Sequence, residues 1–288
     1  MRVPNEIRDC VCFLCTKEFR DGSNVYQCKG TGFFVAVPSE THADQAHVYL
    51  VTARHNVERA RDAGSLYLRL NTVTGEADYV EAKGEWLFPE SDSSDVAVMM
   101  LDIPFDEFQF QPVPVEILAT QSSINRHDIG IGDEIIITGL FSQRHGTRRN
   151  SPIVRTGIIA SMPDEPLKDE QSGLEYEAYL VEVRSIGGLS GSPVFIFVQV
   201  AGTLKPMRGA PLIWTHQIFV LGLIRGHWDY KRTVTEIGYT DDEATAVNMG
   251  MAIVTPIQEV INILYSDECV RERRKIDREF VHQNSKTH

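Results

Sequence analysis

The chain lacks the features that mark secreted, membrane-spanning and nucleic-acid-binding proteins. Its N-terminal segment has no apolar core of signal-peptide length, and its longest apolar runs, such as residues 135–138 and 194–198, are far shorter than a membrane span. Positive charge is scarce, since 28 Lys and Arg stand against 40 Asp and Glu, and the formal net charge is −12. Because phosphate-rich surfaces attract clusters of Lys and Arg, we expect neither a nucleic acid nor a membrane as partner. From the lack of a signal-peptide core we expect a cytoplasmic location.

Cysteine is also scarce and does not form a complete metal motif. The cysteines are odd in number, which fits a reducing compartment and free thiols; they are Cys10, Cys12, Cys15, Cys28 and Cys269. The spacing of Cys12 and Cys15 resembles half of a zinc site, but no second pair follows and no nearby His completes four ligands. We therefore expect buried thiols on a first strand, no bound metal and no cofactor.

Strand-like segments dominate the chain, and helix signals are few. Short runs of apolar and β-branched residues are separated by turn residues, and they lie at 11–16, 30–38, 48–52, 66–70, 95–101, 134–139, 153–160, 176–183, 194–200, 218–224 and 249–254. This pattern predicts an all-β barrel or sandwich architecture. A helix is predicted from Thr255 and Pro256 onward, because Ile257, Ile261 and Leu264 share one face, and a short helical turn is predicted over 57–63.

Residues 105–128 are rich in proline and polar side chains, and we interpret them as a link between two halves. The predicted domains are residues 1–120 and residues 121–266. Residues 267–288 carry many charges and few apolar side chains, so we expect a frayed helix or a charged tail there.

Glycine and serine crowd into residues 185–195, immediately before an apolar run. A tight turn around Gly188, Ser190 and Gly191 can aim several backbone N–H groups into one small volume and hold a hydroxyl at its rim. Acyl transfer needs that combination of a nucleophilic oxygen and donors for an oxyanion. Taken alone, the segment fits an ordinary loop between two strands equally well.

Two polar residues lie at the ends of predicted strands. His55 follows the strand 48–52 directly, and Asp95 opens the strand 96–101 after a polar stretch. Alone, His55 is more simply explained as a surface loop residue and Asp95 as a turn residue. A nucleophilic serine, however, needs a base, and the base needs an orienting carboxylate.

The order His, Asp, Ser with a Gly-rich strand before the His resembles the trypsin-like (chymotrypsin-fold) serine peptidases. It is most similar to bacterial stand-alone trypsin-like peptidase domains, and the matching segments are 30–35, 51–55, 95–98, 188–193, 221–224 and 251–254. The resemblance implies two six-stranded antiparallel β-barrels, a cleft between them and a short C-terminal helix. His55 and Asp95 would lie on the first barrel and Ser190 on the second.

The resemblance also implies the role of each residue. Ser190 would attack the scissile carbonyl, His55 would transfer the proton, and Asp95 would orient the imidazole, with the N–H groups of Gly188 and Ser190 as oxyanion hole. The expected function is that of a serine endopeptidase acting on a polypeptide substrate. The alternative is a silent or partner-activated module of the same fold that binds peptides or proteins.

Substrate preference is expected from two walls of a primary pocket. Arg184 and Ser185 would form one wall, and Ile224, Arg225, Gly226 and His227 the other. None of these is acidic, so we expect an acidic or polar substrate residue rather than Lys or Arg, unless the arginines point outward and pair on the surface.

One departure from the secreted members concerns activation. Leu189 occupies the position where those enzymes carry an Asp that pairs with a new N-terminus. We therefore expect packing of Leu189, a substrate or a protein activator to order the turn.

Overall fold

The computed structural model describes residues 3–169, 173–183, 188–201, 214–231 and 246–284. The first β-unit is one sheet of eight strands in the order β5-β4-β1-β2-β3-β7-β6, with β8 pairing in parallel to β2. Its strands are β1 (Val11–Arg20), β2 (Ser23–Pro38), β3 (Ala46–Thr52), β4 (Leu66–Asn71), β5 (Ala77–Glu81), β6 (Trp86–Leu87), β7 (Ala97–Met100) and β8 (Val113–Pro114). Two helices belong to this unit, α1 (Asn5–Asp9) and α2 (Arg54–Asp62).

The second β-unit is a closed antiparallel barrel of six strands. Its strands are β9 (Glu134–Gly139), β10 (Ile153–Ser161), β13 (Tyr179–Glu182), β14 (Pro193–Ala201), β15 (Trp214–Lys231) and β16 (Ala246–Pro256), in the order β10-β13-β16-β15-β14-β9. A small separate sheet contains β11 (Leu167–Lys168) and β12 (Glu175–Tyr176). A 3-10 helix (Val115–Ile117) and α3 (Gln121–His127) connect the units, and α4 (Gln258–Leu264) and α5 (Asp267–Asn284) follow the barrel.

The predicted fold class is confirmed, because the chain is mostly β, with two β-units and helix at the end. The first sheet has eight strands in the described residues instead of six. The domain limits at residues 120 and 266 stay predictions. Helix α4 begins at Gln258, later than the start signal indicates, because Thr255 and Pro256 still pair with Leu223 and Gly222 of β15.

The strands near the centre of the first sheet are buried on both faces. On β2, Phe34 packs into a cluster inside the first unit, whereas Phe33 joins the larger cluster that includes the barrel residues. On β3, Leu50 and Val51 divide in the same way. The sequences of these strands are therefore continuous apolar runs without polar alternation, because successive side chains enter two different cores.

The cysteines correct one expectation. Cys10, Cys12 and Cys269 are buried free thiols, as expected, but Cys15 and Cys28 form a disulfide. The antiparallel register of β1 and β2 sets these two residues opposite each other.

Residues 267–284 form helix α5, one of the two alternatives expected for the charged segment, and the helix is anchored on the first unit. Arg273 and Asp277, one turn apart, are both buried and face alternate residues of β3. The guanidinium of Arg273 donates to the Tyr49 hydroxyl at 3.0 Å, and Asp277 Oδ1 lies 2.9 Å from His47 Nε2. These polar contacts dock the helix on the first unit although it carries few apolar residues.

Replacement of Asp277 by Ala should destabilise the protein. His47 would lose its buried partner, and such a loss costs about 1–3 kcal/mol. Urea unfolding measures the effect, with Glu279→Ala, an exposed position on the same helix, as the control that should change stability by less than about 0.5 kcal/mol. Equal midpoints for both variants would contradict the docking of α5.

Candidate active site

The end of β3 brings His55 next to Asp95. Strands β3 and β7 pair so that Thr52 lies opposite Ala97, and their antiparallel direction makes the residues after β3 neighbours of the residues before β7. Helix α2 begins at Arg54, so His55 lies in its first turn. The backbone N–H of His55 donates to Asp95 Oδ1 at 3.0 Å, and its ring Nδ1 lies 2.8 Å from Asp95 Oδ2. Two hydrogen bonds therefore join these two predicted residues.

Asp95 serves helix α2 and the imidazole at once. Ala53, the residue before the helix, provides no side-chain cap, so the carboxylate accepts a free N–H of the first turn from outside the helix. The positive end of the helix favours the negative charge there. Because an ionised carboxylate only accepts hydrogen bonds, Nδ1 of His55 carries a proton, and in the neutral form of the ring the lone pair is therefore on Nε2.

The carboxyl group of Asp95 is ionised at neutral pH. Burial alone raises the pKa of Asp95, but hydrogen bonds and charge from His55, together with the charge of Arg225, outweigh burial and hold the pKa below its usual range. A negative charge is therefore fixed next to the imidazole, where it stabilises a positive ring.

The turn that carries Ser190 is tied to the first unit through its backbone. The carbonyl of Ser190 accepts hydrogen bonds from the N–H of Thr31 at 2.9 Å and from Nδ2 of Asn56 at 3.0 Å. The hydroxyl of Thr31 donates to the carbonyl of Gly188 at 2.8 Å. Since Asn56 follows His55 in the same helical turn, the residue next to the imidazole also holds the backbone of Ser190.

Gly191 can be replaced by no other residue without moving the two units apart. Its φ is +83°, a conformation that side chains disfavour. A Cβ there would overlap the carbonyl of Thr31 and the hydroxyl of Thr52. Its N–H donates to the carbonyl of Ile224 at 2.7 Å, so the turn is fixed on the barrel side as well.

The backbone N–H groups of Gly188 and Ser190, the predicted oxyanion donors, belong to this turn. Gly188 has φ +101°, and neither its N–H nor that of Ser190 donates to a backbone carbonyl of the described residues. Leu189 between them is 1% exposed and packs into the core next to Gly139. This packing agrees with one of the three ordering devices expected from the sequence, the packing of Leu189.

The predicted primary pocket is described on one side only. Arg184 and Ser185 lie outside the described residues. On the other side, Ile224 is buried, Gly226 faces open space and His227 is exposed.

Arg225 borders Ser190 with its backbone but not with its charge. The Ser190 hydroxyl donates to the carbonyl of Arg225 at 3.4 Å. The guanidinium turns to the first unit, donates to the carbonyl of Ser93 at 2.7 Å and stacks 3.8 Å from the ring centre of Tyr176. Its charge therefore acts near Asp95, and the hypothesis of an acidic substrate residue in the pocket loses this support.

Three residues that hold the site together, Thr31, Thr52 and Asn56, were not predicted from the sequence. They form a buried chain of hydrogen bonds: Asn56 Nδ2 donates to Thr52 Oγ1 at 3.1 Å, and Thr52 Oγ1 donates to the Thr31 carbonyl at 2.7 Å. The only signal in the sequence is the polarity of Thr31 and Thr52 within otherwise apolar strand segments.

Among the residues that the structure describes, no group of three or more His, Cys, Asp or Glu side chains is placed to hold a metal ion. No helix in the described ranges has both the length and the apolar character that crossing a bilayer requires.

Comparisons with known proteins return structural likeness only. No protein-family model and no curated protein matches the chain. The Rv3671c protease of M. tuberculosis in its active form is similar over 90% of this chain and 80% of that one, at 15% identity and a TM-score of 0.45. The tobacco vein mottling virus protease is similar over 93% and 85%, at 16% identity and a TM-score of 0.43.

A mutant of the tobacco etch virus protease is similar over 93% of this chain and 82% of its own, at 15% identity and a TM-score of 0.44. At this level the comparisons carry no argument about activity. The agreement with a trypsin-like fold rests on the strand order and on the site between the two units.

Replacement of Asn56 by Ala should destabilise the protein by about 1–3 kcal/mol, because the carbonyl of Ser190 loses one of its two donors. Urea unfolding measures this loss. Asn24→Ala, at an exposed position of β2, is the matched control, and we expect a change within about 0.5 kcal/mol there. A stability of Asn56→Ala equal to that of the control would show that the turn is not held by this contact.

The lowered pKa of Asp95 predicts how stability changes in acid. Because the folded-state pKa is below the unfolded value of about 4, the charge stabilises the fold above that pH, and the contribution disappears as pH falls through the folded-state pKa. The stability difference between wild type and Asp95→Asn should therefore shrink as pH falls below about 5. Urea unfolding over this pH range measures the difference.

The control is Asp102→Asn at an exposed position, for which the difference should stay small throughout. A gap between wild type and Asp95→Asn that widens as pH falls below about 5 contradicts the prediction.

Proposed function

We propose that the protein is a serine endopeptidase that hydrolyses peptide bonds of polypeptide substrates. The observation that carries the proposal is the pair of hydrogen bonds between His55 and Asp95, beside a serine whose carbonyl is held by the next residue, Asn56. An oriented imidazole, a fixed carboxylate and a hydroxyl on a glycine turn are the groups that acyl transfer requires.

In the acylation step, Ser190 Oγ attacks the carbonyl carbon of the scissile bond while its proton passes to Nε2 of His55. The negative charge that develops on the carbonyl oxygen is bound by the N–H groups of Gly188 and Ser190, and loss of one such donor costs on the order of 3 kcal/mol. The C–N bond then breaks, His55 gives the proton to the leaving amine, and an ester to Ser190 remains.

In the deacylation step, water takes the place of the amine. His55 removes a proton from the water, the resulting hydroxide attacks the ester carbonyl, and the proton returns to Ser190 Oγ as the acid product leaves. Asp95 keeps Nδ1 protonated in both steps, so that Nε2 is the atom that accepts and donates.

The cysteines do not compete for the role of nucleophile. Burial raises the pKa of the Cys10 and Cys12 thiols well above their usual range, and that of Cys269 in the same direction. Cys15 and Cys28 are bonded to each other. These states of the cysteines support Ser190 as the proposed nucleophile.

A second candidate is a module of the same fold that is silent until a substrate or partner binds. The observation that favours it is the hydrogen bond from Ser190 Oγ to the carbonyl of Arg225, at 3.4 Å, which engages the hydroxyl away from the imidazole. A small rotation of the serine side chain would break this long bond, so we rank the candidate second.

A fluorophosphonate probe should label the wild-type protein and leave Ser190→Ala unlabelled, because only an activated hydroxyl reacts with it. His55→Ala should reduce the labelling rate by at least about a thousandfold, since the base is lost. Mass spectrometry of the labelled peptide identifies the residue. Ser142→Ala, an exposed serine on a nearby loop, is the control that should label like wild type.

Labelling that persists in Ser190→Ala would contradict the proposed nucleophile. Absence of labelling in every variant, with the fold intact, would favour the silent module.

A further inference from the structure

One stretch of this acidic chain is strongly basic. No acidic residue lies between Glu134 and Asp164, whereas Arg144, Arg148 and Arg149 fall within six positions of one another. This stretch contains the loop between β9 and β10, residues 140–152, which we call the basic loop. Its charge is opposite to that of the rest of the molecule.

The basic loop begins directly beside the oxyanion turn. The N–H of Leu140 donates to Thr31 Oγ1 at 2.9 Å, the same hydroxyl that donates to the carbonyl of Gly188. A Cβ on Gly188 would lie 3.0 Å from Leu140 Cγ. The start of the loop and the oxyanion turn are therefore in contact.

A buried arginine holds the loop on the first unit. Arg69 of β4 is 3% exposed, and its guanidinium donates to the carbonyls of His145 at 3.3 Å, Gly146 at 2.9 Å and Thr147 at 3.2 Å. Its Nη1 also donates to Asn150 Oδ1 at 2.6 Å. The guanidinium of Arg69 thus fixes the backbone of the loop, which forms a ridge on the surface. All four oxygens that accept from Arg69 are uncharged, so its positive charge is not neutralised by them.

The arginine side chains of this ridge are exposed to solvent. Arg148 forms an ion pair with Glu76 at 3.5 Å, but both side chains are mostly exposed, at 73% and 65%. Within the described ranges, no ion pair joins Arg144 or Arg149 to an acidic residue. With Arg69 beneath them, they give the ridge a net positive charge next to the site.

A substrate across Ser190 must pass this ridge on one side. The hydroxyl of Ser190 contacts the carbonyl of Arg225, whereas its backbone carbonyl accepts from the N–H of Thr31, whose hydroxyl accepts from Leu140. The primary pocket expected from the resemblance is on the Arg225 side, so the residues that follow the scissile bond run toward Leu140. An extended chain advances about 3.3 Å per residue, so we infer that residues a few positions after the scissile bond pass along the loop that begins at Leu140.

We propose that the basic loop selects polypeptides with acidic residues on the C-terminal side of the scissile bond. This inference rests on the proposed endopeptidase function for its meaning, but the selection is an electrostatic property of the surface and is measurable without turnover.

The test uses three pools of fluorescent peptides. In the first, randomised positions are followed by a run of glutamates, and in the second they are followed by a run of glutamines. In the third, the run of glutamates precedes the randomised positions. Binding is measured by anisotropy to Ser190→Ala, which cannot form the acyl intermediate. The pool with C-terminal glutamates should bind about three- to tenfold more tightly than the glutamine pool at low salt. This ratio should fall toward one as salt screens the charges.

Combined replacement Arg144→Gln and Arg149→Gln, in the same background, should reduce the ratio to about one. Arg126→Gln, an exposed arginine of α3, is the matched control and should keep it. The salt dependence of the ratio needs no loop variant, so a folding defect would not prevent a decision. Equal binding of the glutamate and glutamine pools, or tighter binding of the pool with glutamates first, overturns the proposal.

Cleavage of the same pools by wild type separates the two proposals. A binding preference without cleavage contradicts the endopeptidase function and supports the surface, whereas equal binding with equal cleavage contradicts the surface and supports the function.

Discussion

Two hydrogen bonds to the carbonyl of Ser190 decide whether the proposed site exists at all. One donor is the N–H of Thr31 on β2, and the other is the amide of Asn56 in the first turn of α2. Both belong to the first β-unit, whereas the serine belongs to the turn before β14. The same helical turn presents His55, so the contact that joins the units also determines where the imidazole lies relative to the hydroxyl. Gly191 allows this close approach because it has no Cβ.

The electrostatics of the site follow from the same assembly. Asp95 caps a helix that has no cap of its own, and it thereby orients the ring of His55. Arg225 reaches from the barrel to the carbonyl of Ser93 and keeps a positive charge near that carboxylate. Positive charge is found again along the basic loop, which begins beside the turn at Leu140. Arg225 thus acts on the carboxylate of Asp95, whereas the arginines of the basic loop act on the surface that a substrate would cross.

The strand pattern predicted an all-β architecture because that signal is local, whereas His55 and Asp95 were singled out only through their order with Ser190 and the resemblance to trypsin-like peptidases, since each alone fits an ordinary loop or turn residue. The anchors Thr31 and Asn56 were not predicted, since their partner Ser190 lies more than a hundred positions away and only the fold brings them together. The docking of helix α5 was not predicted because the side chains it buries, Arg273 and Asp277, are charged, and charge usually marks a solvated face. The disulfide depends on a strand register that periodicity does not reveal.

The most direct test of the account is a crystal structure of the protein after reaction with a peptidyl phosphonate. We predict phosphorus bonded to Ser190 Oγ, the phosphoryl oxygen about 2.7–3.1 Å from the N–H groups of Gly188 and Ser190, and His55 still paired with Asp95. An adduct on another residue, or a phosphoryl oxygen that points away from the turn, would contradict it.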